Sequence, residues 1–305
     1  MRSMNSLTQE ENQLLYTPGA YDFFELMKPR VMSLVVFTTL VGMYMSPYQL
    51  HPVLSLIALL SIAMGAGSAG AINQWVDRDI DKIMLRTKER PIPSGRVDPA
   101  EAITFSLVMS LISVILLGLS SNWLAAFLLA FTIFFYAVIY SIFLKRKTTQ
   151  NIVIGGIAGS LPPVIGWVAM TGGIELLPCL LFLIIFLWTP PHFWALALVK
   201  SEDYARAKVP MMPNIAGIES TKLQIVIYSI LLLLSSILPN VFGFAGTIYL
   251  LVSLPLGLIF LTLALALIIF PKNRLEMHLF GYSIFYLFGI FIAFVFDKIL
   301  KINVL

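Results

Sequence analysis

Residues 31–76 read VMSLVVFTTLVGMYMSPYQLHPVLSLIALLSIAMGAGSAGAINQWV, without a single Asp, Glu, Lys or Arg. A helix needs about 20 apolar residues to cross the hydrocarbon core. The stretch therefore has room for two crossings, and Ser46-Pro47-Tyr48-Gln49-Leu50-His51-Pro52 near its middle is a turn signal. Three more stretches repeat the pattern. Residues 102–144 break at Ser120-Ser121-Asn122, residues 148–199 at Thr171-Gly172-Gly173-Ile174-Glu175, and residues 223–271 at Pro239-Asn240-Val241-Phe242-Gly243. Residues 277–296 suffice for one crossing. The sequence thus predicts an all-α polytopic membrane bundle of about nine transmembrane helices, built as four tight hairpins and a last helix. The membrane domain is expected over 31–297, between an amino-terminal tail (1–30) and a short carboxyl-terminal tail (298–305).

Composition agrees. Of the 305 residues, 59% are hydrophobic and 12% charged, where soluble domains carry about one quarter charged. That excludes soluble-domain and nucleic-acid-binding readings. The single cysteine, Cys179, lies in an apolar run and is expected to be a small packing residue without an intramolecular disulfide. The first 30 residues are polar and include Glu10, Glu11, Asp22 and Glu25, so they are read as neither a signal peptide nor a transit peptide. Of the 20 Lys and Arg residues, only Lys298 and Lys301 fall on the side of the hairpin turns. The positive-inside rule then puts the amino end and the linkers in the cytoplasm of a plasma-membrane protein, with the carboxyl end outside.

Two constellations carry chemistry. The second span ends Asn73-Gln74-Trp75-Val76-Asp77-Arg78-Asp79-Ile80-Asp81. Asn73, Asp77 and Asp81 are four apart and share one helical stripe, while Asp79 points elsewhere. Three oxygen-bearing side chains at a membrane boundary suit a hard cation such as Mg2+, which keeps waters and bridges to substrate phosphates. The next 15 residues hold Lys82, Arg86, Lys88, Arg90 and Arg96. Cations beside carboxylates suit a diphosphate on an apolar tail; a basic linker is also what positive-inside topology gives any membrane protein. In the sixth span, Trp188-Thr189-Pro190-Pro191-His192-Phe193-Trp194 should kink at its prolines. It places His192 inside the membrane, where haem ligation, proton transfer, substrate orientation and plain helix–helix bonding are all open. Asp203, in the linker that follows, is expected to mirror Asp77 across the bundle.

Asn73-Gln-Trp-Val-Asp77-Arg-Asp-Ile-Asp81, with Met84, Arg86-Thr87 and Arg90-Pro91, resembles the UbiA superfamily of intramembrane prenyltransferases. Trp188-Thr-Pro-Pro-His192-Phe-Trp-Ala-Leu-Ala, followed by Asp203-Tyr204 and Val209-Pro210-Met211, is similar to its haem-farnesylating branch. The resemblance implies farnesyl diphosphate as donor and protohaem IX (haem B) as acceptor and substrate, with Mg2+ as cofactor. It implies Asn73, Asp77 and Asp81 as catalytic and metal-holding residues, with Asp203 as a further metal ligand. It implies Arg86, Lys88, Arg90 and Lys200 on the diphosphate, and His192, Trp188 and Trp194 on the haem. The product would pass to a haem A synthase or a terminal oxidase assembly partner. The chain departs from the superfamily in that Asp203 has no second Asp four residues away, which leaves the ligands of any second Mg2+ open, and from the branch in that Lys208 stands where Gly is usual.

Rival readings are a quinone-pathway prenyltransferase, which would show a second acidic pair and no Pro-Pro-His, and a CDP-alcohol phosphotransferase, which expects D-x-x-D-G-x-x-A-R. A haem or lipid transporter would show related halves and broken helices at the bilayer midplane. Cysteine labelling from each side checks the topology: a Leu305→Cys variant should react with reagent added outside, and labelling from the cytoplasm alone would contradict nine crossings.

Overall fold

Proline sets where many of the helices begin. Pro29, Pro52, Pro99 and Pro162 each occupy the first position of a helix, where the missing N–H has no intrahelical partner to lose. The computed structural model describes residues 17–271 and 274–304, and among these every regular element is helical. Helices α1 (Ala20–Leu26) and α2 (Pro29–Met45) meet at a 60° bend. Helix α3 (Pro52–Val76) returns and is extended by the short α4 (Arg78–Ile83). Helices α5 (Pro99–Ser120) and α6 (Trp123–Phe134) form the second hairpin, and α6 continues as a π-helical segment over Phe135–Leu144. Helices α7 (Asn151–Ser160) and α8 (Pro162–Thr171) are two halves of one span. Helix α9 (Leu176–Val199) completes that hairpin and leads to the short α10 (Ser201–Arg206) and α11 (Met212–Ile215). Helices α12 (Ile218–Val241), α13 (Thr247–Ile269) and α14 (Glu276–Val304) finish the chain.

Eight of these helical stretches are long and apolar enough to cross a membrane, and the bent α1–α2 pair makes a ninth. The hairpin turns fall where the sequence signals them. Asn122 accepts the Ala125 N–H at 2.9 Å and caps α6, and Gly172 and Gly243 take the left-handed turn conformation at φ 77° and 76° that glycine adopts without strain. Pro190 and Pro191 do not end α9, which is continuous from Leu176 to Val199.

Both terminal segments carry helix. The amino-terminal tail expected to Arg30 already holds α1 and the start of α2. Helix α1 is fixed because Arg96 reaches Asp22 at 2.6 Å and Glu25 at 2.8 Å, and because Gln74 donates to the Leu26 carbonyl at 2.9 Å. At the other end α14 runs past residue 297 through Val304. Asp297 does not stop the helix because it is buried and spends its carboxylate on the Gly246 N–H (2.6 Å) and the Tyr249 N–H (3.3 Å), capping α13. Lys298 donates to the carbonyls of Tyr44 and Ser46. These bonds tie the end of α14 to the hairpin turns, while the linkers bond to one another at the opposite end of the bundle, as nine crossings require. Residues 1–16, Lys272, the Lys301 side chain and Leu305 lie outside the described residues.

Small residues let the helices approach. A Cβ on Gly42 of α2 would collide with the Pro163 carbonyl oxygen of α8, and one on Gly166 of α8 with the Thr39 carbonyl oxygen of α2. The two backbones are therefore in direct contact, the geometry that small residues permit in membranes. Helix α14 packs on α2 as well as on α9 and α13, bringing the last span back to the first. Gly42→Ala should cost about 1–3 kcal/mol through overpacking and lower the thermal unfolding midpoint in detergent; an unchanged midpoint would show that the contact yields freely.

Candidate active site

The hydrogen-bond ladder of α3 carries across its end. The Asp77 N–H reaches the Asn73 carbonyl at 3.0 Å and the Asp81 N–H reaches the Asp77 carbonyl at 2.8 Å. Helical spacing therefore persists through the α3–α4 junction, and Asn73, Asp77 and Asp81 keep one direction. They are 4%, 0% and 1% exposed, whereas the Asp79 side chain is 61% exposed. The Asn73 Nδ2 donates to Asp77 Oδ2 at 2.7 Å and to Ser141 Oγ at 2.9 Å. Buried polar and charged groups need partners, and each member of the stripe has a basic one. Lys28 Nζ donates to Asn73 Oδ1 at 2.6 Å, Lys145 Nζ to Asp77 Oδ2 at 2.5 Å, and Arg90 Nη1 to Asp81 Oδ2 at 2.7 Å. Arg146 clasps Asp79 with two bonds of 2.7 and 2.8 Å, holding its carboxyl below the usual range, and lies 3.9 Å from Asp77 Oδ1.

Lys28, Ser141 and Lys145 are the residues that sequence reasoning missed. Lys28 sits at the α1–α2 bend in the left-handed conformation, φ 55°. The following Pro29 disfavours the right-handed helical region for it, and the left-handed one costs about 1 kcal/mol or more. Its ammonium is also 5.9 Å from the Tyr136 ring centroid. Ser141 and Lys145 belong to, or directly follow, the π-helical segment. The Ser141 hydroxyl bonds back five residues to the Tyr136 carbonyl at 2.8 Å. The wider π turn rotates the end of this span so that both residues meet α3; such segments frequently mark functional sites. A Lys at a span end beside a carboxylate was the available signal, but spacing does not tell which linker meets which.

The other expected site residues have different neighbours. Of the four basic residues expected on a diphosphate, only Arg90 touches a ladder carboxylate. Arg86, Lys88 and Lys200 are exposed, with Lys88 3.7 Å from Glu89. Asp203 has partners of its own. Its Oδ1 accepts the Leu85 N–H at 3.0 Å and Arg206 Nη2 at 2.8 Å. Burial raises the Asp203 carboxyl, but the backbone N–H groups of Leu85 and Arg86 and the Arg206 guanidinium outweigh it, so the group is held below the usual range. His192 is buried between Trp188 and Phe280, with ring centroids at 4.3 and 4.5 Å in near-parallel stacks, and its Nδ1 is 2.6 Å from Ser283 Oγ. Trp188 donates to the Ser283 carbonyl at 2.7 Å, and Trp194 is wholly buried edge-on to Tyr228. This trio packs α9 against α14 and α12.

The stripe fits a hard cation. Asp77 Oδ1 is buried and has no hydrogen bond, and the rest of the set, Asn73 Oδ1 and the Asp81 carboxylate, is also oxygen. Among the described residues no three His, Cys, Asp or Glu side chains form a closed metal cage. Two carboxylates and an amide leave coordination positions for water and phosphate oxygens, as Mg2+ favours.

Comparison with known proteins identifies the family. The family model described as the UbiA prenyltransferase family matches residues 35–294. A protoheme IX farnesyltransferase of Rhizobium rhizogenes is 53% identical over 301 residues, 97% of this chain and 94% of that protein. Among solved structures, a digeranylgeranylglyceryl phosphate synthase aligns with a TM-score of 0.76 at 19% identity, covering 94% of this chain and 98% of the other. A UbiA homolog from Archaeoglobus fulgidus bound to GPP and Mg2+ aligns with a TM-score of 0.60 at 16% identity, covering 90% and 99%. The chain belongs to the UbiA prenyltransferase family.

Proposed function

We propose that the protein is a haem O synthase: it transfers the farnesyl group of farnesyl diphosphate to a vinyl group of protohaem IX and releases diphosphate. The observation that carries the reading is the buried Asn73–Asp77–Asp81 stripe faced by Lys28, Lys145 and Arg90 at the linker end of an apolar bundle. The 53% identity to a protoheme IX farnesyltransferase over nearly the whole chain supports haem as the acceptor.

Asn73, Asp77 and Asp81 hold the cation, which, when bound, stabilises the charge developing on the leaving diphosphate. Lys28, Lys145 and Arg90 lie within reach of the same place and grip diphosphate oxygens. Arg86, Lys88 and Lys200 stand at the surface, where they draw the anion toward the site. The C1–oxygen bond of the donor breaks with its electron pair leaving on diphosphate. The vinyl π bond of haem supplies the pair for the new carbon–carbon bond. Water then adds to the cation left beside the porphyrin and loses a proton, giving the hydroxyethylfarnesyl group. The apolar spans exclude water until that last step. The linkers, and so the site, face the cytoplasm of the plasma membrane, and the product passes to a haem A synthase or to terminal oxidase assembly.

Purified protein given farnesyl diphosphate, haem and Mg2+ should form haem O, read by mass spectrometry; EDTA should abolish the product and excess Mg2+ restore it. Asp77→Ala and Asp81→Ala should each lower kcat by about two orders of magnitude or more, the scale of losing a transition-state electrostatic contact, in protein that still inserts. Asp79→Ala, off the stripe, should stay within about tenfold. Equal loss from all three would overturn the stripe. His192→Ala should lower the unfolding midpoint because it removes a buried stacked ring; Soret titration of the folded variant should show unchanged haem affinity, and a weakened affinity would assign His192 to the porphyrin instead.

A further inference from the structure

The linker after α4 is held at both ends by acidic groups from distant parts of the chain. At its start the Leu85 N–H bonds Asp203 Oδ1 at 3.0 Å, and Arg206 meets the same oxygen at 2.8 Å. At its end Arg96 is shared by Asp22 and Glu25 of α1 and also donates to the Glu89 carbonyl at 2.9 Å. Between these points Thr87 and Arg90 turn inward. Thr87 is 1% exposed and its hydroxyl donates to the Asp81 carbonyl at 3.2 Å, while Arg90 carries the ion pair to the Asp81 carboxylate. The loop is thus a strap over the end of the acidic stripe, and Asp203, 118 residues away from Leu85, fastens it to the second half of the chain.

From this geometry we infer that Asp203 is a positioning residue that fastens the 84–97 strap so that Arg90 reaches the donor's diphosphate, and that it is not a metal ligand. The inference rests on the function proposed above and departs from the metal role that the family resemblance assigns to Asp203. Asp203 is 6% exposed and has both a backbone N–H and a guanidinium on one oxygen, whereas Asp77 keeps a buried Oδ1 with no hydrogen bond. It shares no metal-sized group of acidic side chains with Asp77 and Asp81 among the described residues. An acceptor oxygen at residue 203 is what the Leu85 N–H requires, so Asn suffices there, whereas a metal ligand needs the charge.

The test compares Asp203→Ala, Asp203→Asn and Leu85→Pro in the full-length protein in detergent. The proline removes the donor N–H and leaves every carboxylate in place; Met84 already has the extended backbone, ψ 127°, that a following proline favours. Trypsin cleavage after Arg86 and Lys88 reads the strap without any turnover. It should accelerate about tenfold in Asp203→Ala and Leu85→Pro, the loss of one charge-assisted hydrogen bond, and stay near the starting rate in Asp203→Asn. In turnover assays, Asp203→Ala and Leu85→Pro should raise the KM for farnesyl diphosphate about tenfold with kcat and the half-saturating Mg2+ concentration little changed. A protein inactive before any substitution would refute the proposed function, and the trypsin measurement would still decide the strap. Unchanged trypsin rates in both Asp203→Ala and Leu85→Pro, or an Mg2+ requirement raised about tenfold in Asp203→Asn as loss of a ligand charge would give, would overturn the inference. If Asp203→Ala fails to fold, Leu85→Pro and Asp203→Asn carry the decision alone.

Discussion

A carboxylate with no exposure, at the end of a membrane helix, is the constraint on which the rest of the structure depends. Asp77 is that group. Breaking a buried ion pair from one side costs about 3–5 kcal/mol, so the fold must deliver Lys145 to Asp77 whenever α3 docks. The π-helical segment before Lys145 is the local means: it turns Ser141 toward Asn73 and Lys145 toward Asp77 on one face. The same requirement accounts for the left-handed Lys28 at the α1–α2 bend, whose ammonium meets the Asn73 amide oxygen. Strain at such a residue persists only where the surroundings over-determine it.

The linkers gather because each one neutralises another. The α6–α7 linker supplies Lys145 and Arg146, the α4–α5 linker supplies Arg90 and Arg96, and the segment before α2 supplies Asp22, Glu25 and Lys28. These contacts join the first and second hairpins at one end of the bundle, while Asp297 and Lys298 close the other end against the hairpin turns. Charged side chains thus bond at the two ends of the bundle, while close backbone contacts such as Gly42 on Pro163 and neutral bonds such as Trp188 to the Ser283 carbonyl occupy the depth between. That division lets an apolar substrate tail lie among the spans while its charged head remains at the linker end.

Much of this was legible in the sequence because the bilayer fixes span length and because helical periodicity places Asn73, Asp77 and Asp81 together. The hairpin turns were legible through Asn122, Gly172 and Gly243, which have local reasons to end helices. The helical structure of the terminal segments was not, because α1 and the end of α14 are held by bonds to residues far along the chain, Arg96 in one case and Gly246 in the other. The partners of the stripe were hidden for the same reason: a lysine at a span end looks alike whether it faces lipid headgroups or Asp77. Asp203 shows the converse, a residue whose type suggested a metal and whose neighbours give it a backbone N–H.

The central claim is that the Asn73–Asp77–Asp81 stripe binds a divalent cation together with a prenyl diphosphate. Anomalous diffraction from crystals holding Mn2+ and an unreactive farnesyl diphosphate analogue tests it most directly. The account predicts a metal peak at about 2.1 Å from Asp77 Oδ1, a typical hard-cation distance, bridged to the diphosphate. A metal bound with no contact to Asp77, or a diphosphate seated away from Lys28, Lys145 and Arg90, would contradict it.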